Sequence, residues 1–295
     1  MLDRLPIIWL GLVLCTCGVS TAAAVVSEGA KLRLISEDFS FTEGPAADPA
    51  GNVFFTDQPN NNIWKYGTDG TLSLFMDDAG RANGLYFDDT GNLLACADDK
   101  GELWQITPDG KVTVLLDNFD SRRLNGPNDL WVNPHGGIYF TDPFYPRDYW
   151  DRDKKEIETE AVYYLAPGAG QATRVAGDLQ KPNGLIGSAD GKRLYIADIG
   201  ADKTYAYAID SDGGLSGKTL FAEMGSDGMT LDSGGNLYLT GEGVTVFDPQ
   251  GEKIEHIDVP EDWTANVTFG GEARRTLFIT AMDSLYSLEM RVDGP

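Results

Sequence analysis

The chain alternates short, β-rich apolar runs with polar turns, and the turns recur about every 40 to 55 residues. The six turns lie at residues 48–52, 88–92, 133–137, 188–192, 232–236 and 271–275. A β-rich run follows each turn, further strand segments fill each unit, and helical periodicity is nearly absent. A β-sandwich would also alternate in this way, but it would not repeat its turns at this period. The pattern therefore predicts an all-β fold, a six-bladed β-propeller with four-stranded blades around a central channel.

The hairpin stretch of the third unit, residues 124–143, shows the local pattern most clearly. Residues 130–132 and 138–140 are predicted strands, and the turn 133–137 joins them as a hairpin. Asn128 and Asp129 open the first strand, whereas Thr141 and Asp142 close the second. Because the start of one strand and the end of the next share an edge of a hairpin, we expect these four side chains at one rim. The long charged stretch that follows, residues 147–160, is predicted to be a surface loop over one face.

One polar residue recurs at the same register in every unit. Counting back eight residues from the turn glycine reaches a carboxylate or carboxamide each time, and in the sixth unit Arg274 occupies the glycine position. Since the first strand of each blade lines the channel of a propeller, these side chains should form a ring at one mouth. The ring is predicted to contain Glu43, Asn83, Asn128, Asn183, Asp227 and Asn266. Asn and Asp before Gly are also common turn formers, which is the alternative at any single position.

A ring of carboxylate and amide oxygens without His or Cys has the chemistry of a hard-cation site. Ca²⁺ is the first expectation, with Mg²⁺, Mn²⁺ or Zn²⁺ as substitutes. The carboxylates of Glu43 and Asp227 would balance a divalent charge. The predicted cofactor is therefore a divalent cation in the channel.

Four short motifs resemble the gluconolactonase / senescence-marker-protein / luciferin-regenerating-enzyme family, in its bacterial gluconolactonase branch. They are NGPNDL at 125–130, IYFTDP at 138–143, KPNGL at 181–185 and SDGMTL at 226–231. The resemblance runs from residue 41 to residue 288. It implies hydrolysis of lactones, usually aldonolactones, by a six-bladed propeller that holds a divalent metal in its channel. The metal ligands that it implies are Glu43, Asn128, Asn183 and Asp227.

The substrate contacts do not carry over from the animal branch of that family. Its members have an Arg two residues before the Asn of the third repeat, and this Arg contacts the sugar. The present chain has Gly126 at that position. The candidate substrate-binding residues are instead Asn83, Asn125, Asp129 and Asn266.

These residues predict a metal-dependent lactone hydrolase. The cation would polarise the carbonyl, and a carboxylate at the rim would activate water. Asp227 is the first candidate for this base and Asp142 the second, whereas Asp57 and Asp198 could equally anchor the ends of blades. His135 and His256 are expected to be exposed, and without a G-x-S-x-G elbow a serine hydrolase is disfavoured.

Three other functions remain open at this point. The same scaffold and metal could serve a phosphotriesterase or arylesterase, and a propeller stabilised by Ca²⁺ could bind a ligand without turnover. A strictosidine-synthase-like lyase is disfavoured, because the ring would then have no evident use.

The net charge of the chain limits the kinds of molecule that it can bind. The chain has 295 residues with 23 Lys and Arg against 46 Asp and Glu, for a formal charge of -23. This charge repels nucleic acids and anionic membranes, so the expected partner is a small-molecule lactone, and a monomer is favoured. Cys96 lies in an apolar run and is expected to be a core residue rather than a nucleophile.

The first 24 residues differ from the rest of the chain. An apolar run at 5–19 precedes the small residues 21–24, which fit a signal-peptidase site after Ala24. We therefore predict a signal peptide at 1–24, an exported (periplasmic or secreted) protein, and one propeller domain at 25–295. An uncleaved membrane anchor is the alternative. Cleavage would remove Cys15 and Cys17 and leave Cys96 alone, so no internal disulfide is expected.

Overall fold

Six four-stranded antiparallel sheets make up the structure, a computed structural model that describes residues 24–295. The first strand of each sheet contacts the first strands of the two neighbouring sheets, which arranges the sheets in a closed ring. The predicted six-bladed β-propeller is confirmed. Of the predicted leader, all but Ala24 lies outside the described residues. Within residues 24–295 no helix is long and apolar enough to cross a membrane.

The strands follow the repeat that the turns predict. In chain order they are β1 (Arg33–Ser36), β2 (Thr42–Ala47), β3 (Val53–Asp57), β4 (Asn62–Tyr66), β5 (Leu72–Met76), β6 (Ala82–Phe87), β7 (Leu93–Ala97), β8 (Glu102–Ile106), β9 (Val112–Leu116), β10 (Leu130–Val132), β11 (Ile138–Asp142), β12 (Ala161–Leu165), β13 (Thr173–Ala176), β14 (Pro182–Gly187), β15 (Arg193–Asp198), β16 (Lys203–Ile209), β17 (Leu215–Ala222), β18 (Met229–Leu231), β19 (Leu237–Gly241), β20 (Gly243–Phe247), β21 (Lys253–Ile257), β22 (Thr264–Gly270), β23 (Thr276–Ala281) and β24 (Ser284–Glu289). Short 3₁₀ turns at Gln58–Asn60 and Ile199–Ala201 follow β3 and β15. Blades 1 to 5 are β2–β5, β6–β9, β10–β13, β14–β17 and β18–β21.

The sixth blade joins the two ends of the chain. It contains β22, β23 and β24, and its outermost strand is β1 from the start of the domain. β1 pairs antiparallel with β24, with Arg33 opposite Ser287. This arrangement closes the ring: residues 37–41 link β1 in blade 6 to β2 in blade 1, and hydrogen bonds join β1 to β24.

The six hairpin turns share one conformation, including the turn without a glycine. In each turn the fourth residue donates its main-chain N–H to the carbonyl of the first, as Gly136 does to Asn133 at 2.9 Å. The glycines at this position have positive φ, and Arg274 in the sixth turn also adopts a left-handed φ of 51°. A side chain in this region is strained, which is why glycine is preferred there. Arg274 therefore occupies the structural place of the turn glycine, as its register predicted.

Side chains packed between adjacent blades form the core. The Trp131 indole of blade 3 lies directly against Gly187 of blade 4, where a Cβ would collide with the ring. Tyr139 and Cys96 are both fully buried in clusters of apolar side chains. Cys96 is thus a core residue, as predicted, and burial raises the pKa of its thiol.

Candidate functional site

Irregular strand pairing positions the predicted ring residues at one end of the channel. In blades 1, 2, 4 and 6 the register between the first two strands shifts where the ring residue lies, for example between Glu43 and Ala46. A bulge of this kind locally re-aims a side chain out of the regular ladder. In blades 3 and 5 the first strand begins only after the ring residue, at Leu130 and Met229.

Glycines next to the ring residues allow the six first strands to approach closely. A Cβ on Gly44 would collide with the Asn83 carbonyl, and one on Gly228 would collide with the Asn266 carboxamide. A Cβ on Gly84 or on Gly184 would likewise collide with the main-chain carbonyl of the ring residue in the next blade. The Asn-Gly and Asp-Gly pairs are therefore close-packing positions in the ring, and the turn-forming alternative does not apply to them.

The six predicted ring residues come together in the structure. Asn183 Nδ2 donates to Asp227 Oδ1 at 2.8 Å, and Asn266 Nδ2 lies 3.4 Å from Glu43 Oε2. Glu43, Asn83, Asn128, Asn183 and Asn266 are all buried, whereas Asp227 is only partly buried. Asp227 is thus the ring member most accessible from the rim.

Two carboxylates in this buried ring create an unfavourable concentration of negative charge. Burial raises the pKa of Glu43 well above its ordinary value, and the neighbouring Asp227 raises it further. Burial also raises the pKa of Asp227, although bonds from Trp263 and Asn183 oppose this shift. A bound divalent cation would reverse the electrostatics by stabilising both ionised forms.

The donor set fits a hard cation. Asn183 Oδ1 is buried and has no hydrogen-bond partner among residues 24–295, so an acceptor is left free in the side chain that bonds Asp227. An unpaired buried oxygen of this kind is unfavourable unless a ligand satisfies it. No three His, Cys, Asp or Glu side chains cluster in the described part of the chain. A cation here would therefore depend on the amide oxygens of Asn128 and Asn183 as well as on Glu43 and Asp227.

Trp263 is a ring partner that the sequence analysis missed. Its indole Nε1 donates to Asp227 Oδ2 at 2.6 Å, while Asn183 holds Oδ1. The two bonds fix the orientation of the carboxylate plane. Trp263 lies just before β22 and outside the repeating register, so no periodic signal pointed to it.

The loop after β11 includes the stretch 147–160 that was predicted to be a surface loop over one face, but its contacts with the site were not predicted. It covers residues 143–160 and crosses toward blade 2, where Tyr149 Oη donates to Asp98 Oδ2 at 2.6 Å and Arg147 Nε donates to the same atom at 3.1 Å. Tyr145 in this loop accepts a bond from Asn183 Nδ2 at 3.0 Å. The loop thus lies over the site and contacts one of the ring residues directly.

Gly126 lies beneath this loop. A Cβ at Gly126 would come within 2.7 Å of Asp98 Oδ1 and 3.2 Å of the Trp150 indole. A longer side chain at this position is therefore excluded by the residues that anchor the loop. This accounts for the glycine at the position where the animal branch has Arg.

The second candidate base, Asp142, is placed as an anchor. It is fully buried, and its two oxygens accept main-chain N–H groups from Asn125 (2.9 Å) and Gly126 (2.8 Å). Asp57 and Asp198 accept pairs of main-chain N–H groups in the same way at the ends of β3 and β15. Burial raises the pKa of Asp142 to about 7, and the two main-chain bonds oppose the shift. This placement favours the anchoring role, and a catalytic role for Asp142 stays a prediction.

The other predicted substrate contacts differ in their placement. Asn83 and Asn266 belong to the ring, but Asn125 is fully buried and donates to the carbonyls of Asp142 and Thr159. Asp129 lies at the inner end of a cavity of about 390 Å³ that opens between the hairpin turns at the opposite mouth. Burial raises the pKa of Asp129 to about 7. Contacts of Asn125 and Asp129 with substrate stay predictions that their burial does not favour.

Comparisons with known proteins agree with the fold and identify relatives. Residues 25–283 match the sequence model of the SMP-30/Gluconolactonase/LRE-like region. A gluconolactonase of Zymomonas mobilis is 28% identical over 302 residues, covering 92% of this chain and 84% of that protein. The solved structure of a gluconolactonase from Xanthomonas campestris has a TM-score of 0.85 at 31% identity and covers 92% of both chains. A calcium-binding protein, regucalcin, from Agrobacterium tumefaciens has a TM-score of 0.75 at 20% identity, covering 90% of this chain and 96% of that one, and shows the shared fold alone.

Proposed function

The chain belongs to the SMP-30/gluconolactonase/LRE-like family, and we propose that it hydrolyses a lactone, most simply a sugar aldonolactone, with a divalent cation in its channel. Relatives and solved structures named as gluconolactonases support the reaction class. The observation that carries the metal dependence is the unpartnered Asn183 Oδ1, in the side chain that bonds Asp227. At neutral pH the products of hydrolysis would be the hydroxycarboxylate and a released proton.

Glu43, Asn128, Asn183 and Asp227 would hold the cation. All four supply oxygen, so Ca²⁺ is the simplest choice, and the regucalcin structure is described as calcium-binding. When bound, the cation would polarise the lactone carbonyl and stabilise the negative charge that develops on its oxygen.

Asp227 is the proposed base. Its partial exposure lets water reach it, and bonds from Trp263 Nε1 and Asn183 Nδ2 hold its two oxygens in place. Asp227 would take a proton from the water that attacks the carbonyl carbon. The ring C–O bond then breaks, and the leaving oxygen takes up a proton to become the hydroxyl of the product.

The loop 143–160 would position the substrate. Tyr145 places its hydroxyl 3.0 Å from Asn183 Nδ2, beside a proposed metal ligand. Because Arg147 and Tyr149 hold this loop on the buried Asp98, Tyr145 is fixed before the substrate binds. Preorganisation of this kind lowers the entropic cost of binding the substrate in a reactive orientation.

Proton release during hydrolysis of glucono-δ-lactone tests the proposal. Activity should disappear after treatment with a chelator and return with Ca²⁺, Mg²⁺, Mn²⁺ or Zn²⁺ supplied in turn, which also identifies the preferred metal. Asp227→Ala should lose at least about 100-fold in kcat, as expected when a general base is removed. Asp89→Ala removes an exposed carboxylate at the opposite mouth and serves as the control. Full activity without metal, or an unimpaired Asp227→Ala variant, would contradict the mechanism.

We also propose that the protein is exported after cleavage behind Ala24. The next residue, Val25, is already packed into the propeller, since it is 2% exposed and its carbonyl accepts the N–H of Arg291. Mass spectrometry of the protein from the extracytoplasmic fraction should therefore find Val25 as the N-terminal residue. A full-length chain retained in the membrane would instead favour the anchor.

A further inference from the structure

Two cationic side chains flank the Tyr145 ring at the mouth of the proposed active site. The Lys181 ammonium lies 4.4 Å from the ring centroid, and the Arg147 guanidinium carbon lies 5.6 Å from it. The hydroxyl of the same ring contacts the predicted metal ligand Asn183. Both charges are thus one aromatic ring away from the reacting end of the substrate, in a protein whose formal charge is -23.

Lys181 is not neutralised by the protein. The only polar contact of its ammonium among residues 24–295 is a long one, 3.5 Å to the carbonyl of Phe144, and no described carboxylate lies within ion-pair distance of it. The nearby Glu160 is paired with Lys155 at 3.1 Å. A bound divalent cation would balance the two ring carboxylates, so the charge of Lys181 would remain uncompensated.

Arg147 has unused donors. Its Nε donates to Asp98 at 3.1 Å, and its side chain is 26% exposed. The two terminal nitrogens of the guanidinium donate to no residue in the described part of the chain. Since an arginine fork favours carboxylate, sulfonate or phosphate oxygens, these nitrogens are available to an anionic ligand.

We propose that the preferred substrate is a lactone with an anionic group remote from its carbonyl, held by Lys181 and Arg147. This inference rests on the proposed function and specifies its substrate class. The carbonyl would lie at the ring of Glu43, Asn183 and Asp227, and the terminal carboxylate, sulfonate or phosphate would lie across Tyr145. Arg147 is paired with Asp98 through Nε alone and Lys181 has no carboxylate partner among the described residues, so an anionic group of the substrate would supply the missing counterion.

Two lactones that differ only by a phosphate group provide the test. The metal-loaded full chain is assayed with glucono-δ-lactone and with 6-phosphoglucono-δ-lactone, and kcat/KM is compared. A charge-assisted hydrogen bond should favour the phosphorylated lactone by about 10-fold or more. Its KM should also rise with ionic strength, whereas the KM of the neutral lactone should not. The salt series needs no variant, so it remains informative if a substitution prevents folding.

Substitutions assign the preference to Lys181. Lys181→Met should lower the ratio of the two kcat/KM values by about 10-fold, and Lys181→Arg should retain most of it. Lys192→Met removes the same charge from the hairpin turn at the far end of the same blade, where the side chain is 82% exposed, and should leave the ratio unchanged. A wild-type ratio of one or less, or equal ratios in Lys181→Met and Lys192→Met, would overturn the inference. Neutral-lactone hydrolysis would then still support the proposed function, whereas absence of turnover on both lactones with every metal would overturn that function itself.

Discussion

Replacing Glu43 by Gln should change protein stability in opposite directions with and without a divalent cation. In the metal-free fold, burial and the charge of Asp227 raise the Glu43 pKa above its ordinary value of 4.5. The folded state therefore binds this proton more tightly than the unfolded chain does. The resulting stabilisation is fully present below pH 4.5 and is lost as pH rises through the raised folded pKa. Glu43→Gln cannot ionise, so it should be the more stable protein in chelator at neutral pH.

The magnitude follows from proton linkage. Between the two pKa values one carboxyl group changes the free energy of unfolding by up to about 1.4 kcal/mol per pH unit. For a domain of this size that is roughly 3 °C in Tm per pH unit. With Ca²⁺ at 100 times its Kd, the wild type should gain about 2.7 kcal/mol. The variant lacks one of the two ring carboxylates and should gain much less, so the order of stability reverses.

Thermal unfolding followed by circular dichroism at pH 5, 6, 7 and 8, in chelator and in Ca²⁺, measures both effects. Glu223→Gln makes the same chemical change at an exposed position and should match the wild type throughout. If the difference between Glu43→Gln and wild type does not grow with pH in chelator, the burial argument is wrong. Equal stabilisation of both proteins by Ca²⁺ would exclude Glu43 as a ligand.

Three further substitutions test the site geometry. Gly228→Ala would press a methyl group against the Asn266 carboxamide, so we expect a loss of about 1–3 kcal/mol in urea unfolding, as in other overpacked sites. Asp142→Asn turns an amide NH₂ toward a main-chain N–H and should lose about 1–3 kcal/mol in the same assay. Trp263→Phe removes a hydrogen bond that lowers the Asp227 pKa, so the acid limb of the pH–rate profile should move to higher pH.

Each of these expectations has an outcome that contradicts it. Gly170→Ala is the control for Gly228→Ala, because no atom lies near the new methyl group and the change should stay within about 0.5 kcal/mol. Equal stabilities of the two variants would refute the close-packing account. A stable Asp142→Asn protein without turnover would favour the catalytic prediction for Asp142. An unchanged pH–rate profile in Trp263→Phe would show that the indole does not tune the base.

The repeat made the fold and the ring predictable from sequence. The positions of the turns were enough to predict six blades. The eight-residue spacing also applies to the sixth turn, because this hairpin requires a left-handed backbone at its fourth residue, and Arg274 adopts it as the glycines do. The count of eight residues reached six residues at the inner ends of the blades, and the side chains of four of them contact one another in pairs. The ring residues could be predicted from the repeat because the main chain follows the same path from ring residue to turn in every blade.

Residues outside the repeat could not be found in this way. Tyr145 and Arg147 lie in a loop that only the third blade has, and Asp98 becomes their anchor only when blades 2 and 3 are side by side. Trp263 reaches Asp227 across a blade boundary. Asp142 sits at the predicted rim, but its orientation toward main-chain N–H groups depends on the path of residues 125–126, which no sequence pattern specified.

The way in which the ring closes has a consequence for biogenesis. β1 completes a sheet whose other strands are the last to be synthesised, and the Asn266–Glu43 contact spans 223 residues of sequence. During translation Glu43 is therefore synthesised long before Asn266, its contact in blade 6. Contacts this distant along the chain form slowly, and unpaired strand edges stay exposed to aggregation until they do. Cation capture should thus be among the final folding events, and a supply of metal during maturation should raise the yield of intact protein.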